Sequence, residues 1–449
     1  MRGLRTSAEQ LRNVGPALAI KFANINRSLE ALTTSNPHSQ SVPASVEERR
    51  ADDREATDAF GRTLDEQRKL LEERDTLISQ IRQLPAFERF LSTPSFGTLR
   101  AAASRGPVII INHCRWRSDI LILLRDAPSS LPTTDDFYAR VNKLRNNLLD
   151  TRKTNSPGSL KYDESLRSVL KDLYALVGQP VVGRLRELGI PEQSRIWWCP
   201  TSALCSLPLH AMGPIPSDDR NERYFSDIYV SSYTPTLSAL IKSRVSGALT
   251  SDPPSLLLVG RPNDNLPEAS EEITAIQTIL GESAHCLVSE DATLQAVMKG
   301  LRNHQFAHFA CHGNLVPGRP FDAWFRLEGQ DRLTLLDIVR SHLPNAEFAF
   351  LSVCHAAELT DESVADEALH LTAAMQYCGF RSVVGTMWAM VDEDRPEAAK
   401  HFKLMFSSEG GKAPSYMRSA RALRNAVHRL RKKKGMTLER WVNYVHYGA

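Results

Sequence analysis

The chain has 449 residues, 42% apolar and 24% charged, the balance of a globular protein of two or three domains. Fifty-five basic against 52 acidic residues leave a net charge of +3, too near neutral for a global field that would draw in nucleic acid. No run of about 18 apolar residues is present, which argues against a membrane-spanning helix. The start, Met1-Arg2-Gly3-Leu4-Arg5, carries charge with no apolar run behind it, so no secretory leader is expected. The seven cysteines are odd in number and irregular in spacing, as suits free thiols in a reducing, cytoplasmic setting. No CxxC pair signals a zinc site, and neither a metal nor a cofactor is expected.

Residues 1–95 read as a polar helical segment. Val46 to Leu84 is rich in Glu, Arg and Asp, with Leu70, Leu71, Leu77 and Ile81 at helical spacing, which predicts an amphipathic helix. It can pair as a hairpin with the helix before it, across the polar loop Thr33–Ser41. Such helices could take a regulatory protein partner. No 34-residue helical repeat is discernible.

From about residue 105 short β-branched runs alternate with helices. Strands are predicted at 107–112, 195–200 and 227–233, and a helical stretch over 162–188 is expected to break at Gly178-Gln179-Pro180. A second series begins after the boundary Gly247–Pro254. Its strands are expected at 255–259, 285–288, 306–311, 348–353 and 382–388, and its helices at 268–280, 294–301, 335–341 and 367–377. Alternation of this kind predicts a mainly parallel sheet covered by helices on both faces, in two halves, 96–250 and 251–449.

Parallel sheets carry their chemistry at the carboxyl ends of the strands. Two such ends read Phe309-Ala310-Cys311-His312-Gly313 and Leu351-Ser352-Val353-Cys354-His355. Neighbouring strands would set His312 beside Cys354. A thiol with a pKa near ~8.5 is mostly protonated at neutral pH and reacts as the thiolate, which an imidazole can generate. Gly313, without a Cβ, allows close approach of a substrate backbone and can offer its N–H to an oxyanion. The two Cys-His pairs also supply four potential zinc ligands, but adjacent strand residues face opposite sides, so one ion gathers at most two.

His308-Phe309-Ala310-Cys311-His312-Gly313 resembles the H-x-x-x-H-G signature of CHAT domains, relatives of caspases and separases. Leu351-Ser352-Val353-Cys354 is similar to the family's L-S-A-C block, with Val353 for the usual Ala. Gly385-Thr386-Met387-Trp388-Ala389-Met390-Val391-Asp392-Glu393-Asp394 resembles its G-T-L-W-x-V-D-D block, and Ile196–Pro200 with Leu207–Ala211 its upstream W-x-x-P and L-P-x-H-A element.

The resemblance implies a caspase-like α/β fold in which 96–250 is a degenerate first half bracing a catalytic half, 251–449. It implies a cysteine endopeptidase acting on a protein or peptide substrate. His312 would be the base and Cys354 the nucleophile. The backbone N–H groups of Gly313 and Cys354 would form the oxyanion hole, with His308 as structural support. In related separases an acid of the last block holds a basic P1 side chain. Asp392 is the pocket candidate here, and Asp394 is alternatively a helix N-cap ahead of Glu397. The other reading is a catalytically silent CHAT signalling or assembly module. The acidic stretch Glu358–Glu367 reads as a solvated connector, and the basic run Arg429–Lys434 as the exposed end of a helix.

Overall fold

A computed structural model describes residues 11–34, 46–156, 158–215, 222–244, 255–261, 267–314, 316, 322–341, 343, 345–353, 371–388, 401, 405 and 415–449. Cys354, His355, Asp392, Asp394 and the acidic stretch 358–367 lie outside them. The chain divides into two compact units, Met1–Ser95 and Phe96–Ala449.

In the first unit, helices Pro16–Thr34 and Val46–Ile81 share a small apolar cluster of Leu11, Ala19, Phe22, Ile78, Ile81, Phe87 and Phe90. Phe22 meets Phe90 edge-on with ring centres 5.4 Å apart. The hairpin expected from the leucine spacing therefore forms, and its core mixes three Phe with four aliphatic residues.

The second unit is built on one 11-stranded sheet. In chain order its strands are β1 (Val108–Asn112), β2 (Asp119–Leu123), β3 (Pro128–Pro132), β4 (Arg195–Pro200), β5 (Val230–Tyr233), β6 (Leu256–Gly260), β7 (Ala284–Val288), β8 (Phe306–Ala310), β12 (Phe348–Leu351), β13 (Ser382–Thr386) and β14 (Tyr444–Gly448). Between β8 and β12, β9 (Gly313–Asn314), β10 (Trp324–Arg326) and β11 (Arg332–Thr334) make a separate three-stranded antiparallel sheet. The large sheet runs β3-β2-β1-β4-β5-β14-β13-β12-β8-β6-β7. Pairing is parallel throughout β1-β4-β5-β14 and again throughout β13-β12-β8-β6-β7. The two sets meet antiparallel at β13–β14. Every residue of β6, β8, β12, β13 and β14 is buried, as a sheet covered on both faces requires.

The covering helices can be assigned from close contacts. A Cβ on Gly260 would meet Ile273, which puts helix Pro267–Leu280 on the face shared by Leu258 and His308. A Cβ on Gly300 would meet Leu257, and one on Gly385 would meet Thr372. Helices Leu294–Asn303 and Leu371–Cys378 therefore cover the other face.

The expected mainly parallel, helix-covered sheet is present, with local differences. The helical stretch does not break at Gly178-Gln179-Pro180. Helix Leu160–Leu173 passes through a π turn, Tyr174–Gly178, into Gln179–Glu187. The widened turn relieves the clash of the proline ring with the preceding turn and absorbs its missing N–H. Asp227 and Ile228 end a short helix, Phe225–Ile228, and only Val230–Tyr233 is strand. The antiparallel extension β2–β3, the closing strand β14 and the small sheet were not foreseen. No helix among the described residues is long and apolar enough to cross a membrane.

Candidate functional site

Strands β8 and β12 are direct neighbours, so their carboxyl ends open side by side. Phe348, Ala349, Phe350 and Leu351 pair with Phe306, Ala307, His308 and Phe309, each pair 42 residues apart in sequence. The ladder runs on into the following residues, since Ser352 N–H donates to Phe309 O at 2.9 Å. Val353, the last described residue before Cys354, is fully buried.

Val353 and its neighbours are held from three directions. Its side chain lies against Gly313, where an added Cβ would come within 2.3 Å of Val353 Cγ1. Its carbonyl accepts from the Thr386 hydroxyl at 3.4 Å, which ties the end of β12 to the end of β13. On the opposite face Ser352 Oγ donates to Glu272 Oε2 at 2.9 Å. Trp388 is fixed in turn by Asn443: its N–H donates to Asn443 Oδ1 at 2.8 Å and its carbonyl accepts from Asn443 Nδ2 at 3.1 Å. The Gly-Thr-Met-Trp block therefore shapes the end of the neighbouring strand.

Glu272 is the group sequence reading missed. It sits on helix Pro267–Leu280, wholly excluded from solvent, with His308 Nε2 3.0 Å from its Oε1. His308 and Ser352 are equally buried. His308 also stacks on Phe350, ring centres 5.1 Å apart, and Phe350 packs against His401. One carboxylate thus fastens both strand ends from beneath. A buried polar group without partners costs about 1–3 kcal/mol, so its retention depends on these contacts. The only sequence signal was an acid on the apolar side of an amphipathic helix.

His312 is half-buried, and its carbonyl accepts from Arg326 N–H at 2.8 Å. Gly313 opposes Phe325 across β9–β10. Cys311 is completely buried, so the Cys-His pair does not present two ligands at one place. No cluster of metal-ligating side chains occurs among the described residues.

The upstream Leu-Pro-x-His-Ala element does structural work. His210 Nδ1 meets the Tyr233 hydroxyl at 2.9 Å and Nε2 meets Val442 O at 2.9 Å. Burial pushes the imidazole down to about 4. Trp197 and Trp198 are fully buried core rings. Burial likewise raises the Cys199 and Cys378 thiols to about 12, which makes both unreactive. Of the basic run, Lys432, Lys433 and Lys434 are exposed beyond helix Ser419–Arg431. Arg431 instead turns inward, pairing with Asp227 at 2.9 Å and lying over Tyr224.

No curated protein matches the chain. Crystal structures of the Saccharomyces cerevisiae separase–securin complex are similar over 95% and 97% of this chain, at 13% and 12% identity with TM-scores of 0.39 and 0.38. The aligned part is 27% of each of those longer chains. A family model described as the CHAT domain matches residues 167–449. That match covers more than half of the sequence, and the chain belongs to the CHAT domain family.

Proposed function

We propose that the chain is a cysteine endopeptidase that cleaves a protein partner through His312 and Cys354. The observation that carries this reading is the register of β8 and β12. Every paired position differs by 42, and so do His312 and Cys354. That shared separation supports reading His312 and Cys354 as partners, since one register carried past both strand ends would set them opposite each other. A second observation supports the oxyanion role of Gly313. The bond from Arg326 N–H to His312 O marks 312 and 326 as the hydrogen-bonded pair of the antiparallel ladder. The next pair, Gly313 and Phe325, is then the non-bonded one, which directs the Gly313 N–H away from β10.

In the proposed reaction His312 takes the thiol proton and the sulfur attacks the scissile carbonyl. The N–H groups of Gly313 and Cys354 hold the resulting oxyanion. The adduct then collapses with cleavage of the C–N bond as the imidazolium returns that proton to the departing amine, leaving the thioester. The acyl-enzyme is released by water. Asp392 holds a basic P1 side chain, and the N-terminal helices receive a regulatory protein.

A thiol-reactive peptide probe tests the reading. It should label Cys354 in preference to the other six cysteines, and His312→Ala should remove that preference. Uniform or absent labelling of Cys354 would overturn it. For specificity, P1-Arg substrates should outrun P1-Asp and P1-Leu ones. Asp392→Asn should narrow the gap by about 2–5 kcal/mol if the pair is desolvated.

A further inference from the structure

Four arginines converge around Trp197, separated from β8 in the sheet by β5, β14, β13 and β12. Arg195 and Arg244 lie over the same indole, their guanidinium carbons 4.6 and 4.3 Å from its centre. Arg244 Nη1 donates to Ala102 O and, at 3.4 Å, to the Ser104 hydroxyl, next to Arg105. The Gly106 backbone is pressed against that of Arg195. With φ +145° and an added Cβ only 2.4 Å from Arg195 O, no other residue fits there. Arg421 closes the group, with Nη2 3.5 Å from Gln193 O.

Among the described residues no carboxylate forms an ion pair with any of the four. Arg195 uses Nε and Nη2 on the Ser232 hydroxyl, at 3.1 and 3.0 Å. Arg105 Nη1 donates to Met417 Sδ at 3.0 Å. Arg244 Nε and Nη2, the adjacent pair that forks onto an oxyanion, are buried with no hydrogen-bond partner. Burial first, then Arg244, Arg105 and Arg421, hold the Arg195 guanidinium down to about 9. Burial and Arg105 bring Arg244 to about 10. Stacking on Trp197 occupies the faces of two guanidinia; with Arg195 Nη2 also 3.4 Å from Gly448 O and from His446 Nδ1, the N–H groups left uncommitted are those of Arg195 Nη1 and of Arg244 Nε and Nη2.

We propose that Arg105, Arg195, Arg244 and Arg421 form a binding site for a multivalent oxyanion of the phosphate class. The exposed Arg105 and Arg421 meet the anion first, and the half-buried Arg195 and Arg244 form the inner wall. The site stands whether or not the His312–Cys354 reading holds.

Thermal unfolding of the full chain against inorganic pyrophosphate, at ionic strength fixed with sodium chloride, tests it. The wild type should gain stability saturably with ligand. The double variant Arg105→Ala, Arg421→Ala removes two exposed side chains, and should bind at least tenfold more weakly. Without pyrophosphate it should be as stable as the wild type or more so, because like-charge repulsion is relieved. A phosphoserine tripeptide run in parallel distinguishes a free anion from one carried on a chain, and saturable binding of either supports the site. No saturable gain with any ligand, unchanged affinity in the double variant, or a double variant less stable without ligand would each overturn it. The last result would mean that a carboxylate of this chain already neutralises the cluster.

Discussion

Replacing Glu272 by Gln tests whether the two strand ends depend on one buried carboxylate. Glu272, His308 and Ser352 are all excluded from solvent, with contacts of 3.0 and 2.9 Å from the carboxylate. An exposed pair at these distances contributes about 0–1 kcal/mol. A contact with no exposure behaves differently, because removing one partner leaves the other unsatisfied in an apolar interior at a cost of about 1–3 kcal/mol. The Gln side chain keeps an acceptor for Ser352 Oγ, which places Glu272→Gln towards the lower end of that range. Urea unfolding of the full chain, followed by tryptophan fluorescence, should show a lower midpoint with an unchanged slope. The double change Glu272→Leu, His308→Leu should cost less than Glu272→Gln, since it removes both polar partners together. A loss below about 1 kcal/mol for Glu272→Gln, or a double variant less stable than the single one, would refute this account of the strand ends.

Other changes follow from the same geometry. Gly313→Ala drives a Cβ to 2.3 Å from Val353 Cγ1 and should destabilise by about 1–3 kcal/mol in thermal unfolding, while Val353→Ala in the same chain should recover most of the loss. Burial holds His210 and His401 at about 4 against an ordinary 6.5, so between those values both are neutral when folded and take up protons on unfolding. Their contribution is therefore complete above pH 6.5 and is lost as the pH falls towards 4, by about 1.4 kcal/mol per pH unit for each group. His210→Gln should flatten that part of the stability–pH curve, and an unchanged slope would refute the assignment. Cys199 and Cys378 should stay unlabelled by iodoacetamide at pH 8 until the chain is unfolded.

Legibility followed hydrophobic pattern. Phe348–Leu351 is a continuous apolar run, and Phe306–Ala310 and Ser382–Thr386 are short runs dominated by Phe, Ala and Val, as strands buried on both faces read. β14 was hidden because Tyr444-Val445-His446-Tyr447-Gly448 has Val445 as its one aliphatic residue, the others being a His, two Tyr and a Gly. These are accommodated individually in the fold: His446 meets the Ser382 hydroxyl at 2.7 Å, and Tyr447 stacks on Tyr233. β3 was hidden for another reason. Pro-Ser-Ser-Leu-Pro is an edge strand with alternating exposure, and proline is tolerated there because one side of the ladder is unpaired. Glu272 could not be assigned because its partners lie 36 and 80 residues further along the chain. Only the packing of helix Pro267–Leu280 across β8 and β12 brings them together.

The pairing of Val353 with Gly313 changes how the site must be tested. On the sequence, Gly313 had one rationale, room for a substrate backbone and an N–H for an oxyanion. The structure adds a second, because the branched side chain at 353 already fills the space where a Cβ would stand. The block holding His312 and the block holding Cys354 are therefore coupled by packing as well as by any shared chemistry. Loss of activity in Gly313→Ala alone would not separate a damaged oxyanion site from a displaced strand end. The Gly313→Ala, Val353→Ala pair does separate them, since relief of the clash restores the strand end while the Cβ at 313 remains. Activity that returns with stability assigns Gly313 to packing. Stability that returns without activity leaves the approach to the Gly313 N–H as the function lost.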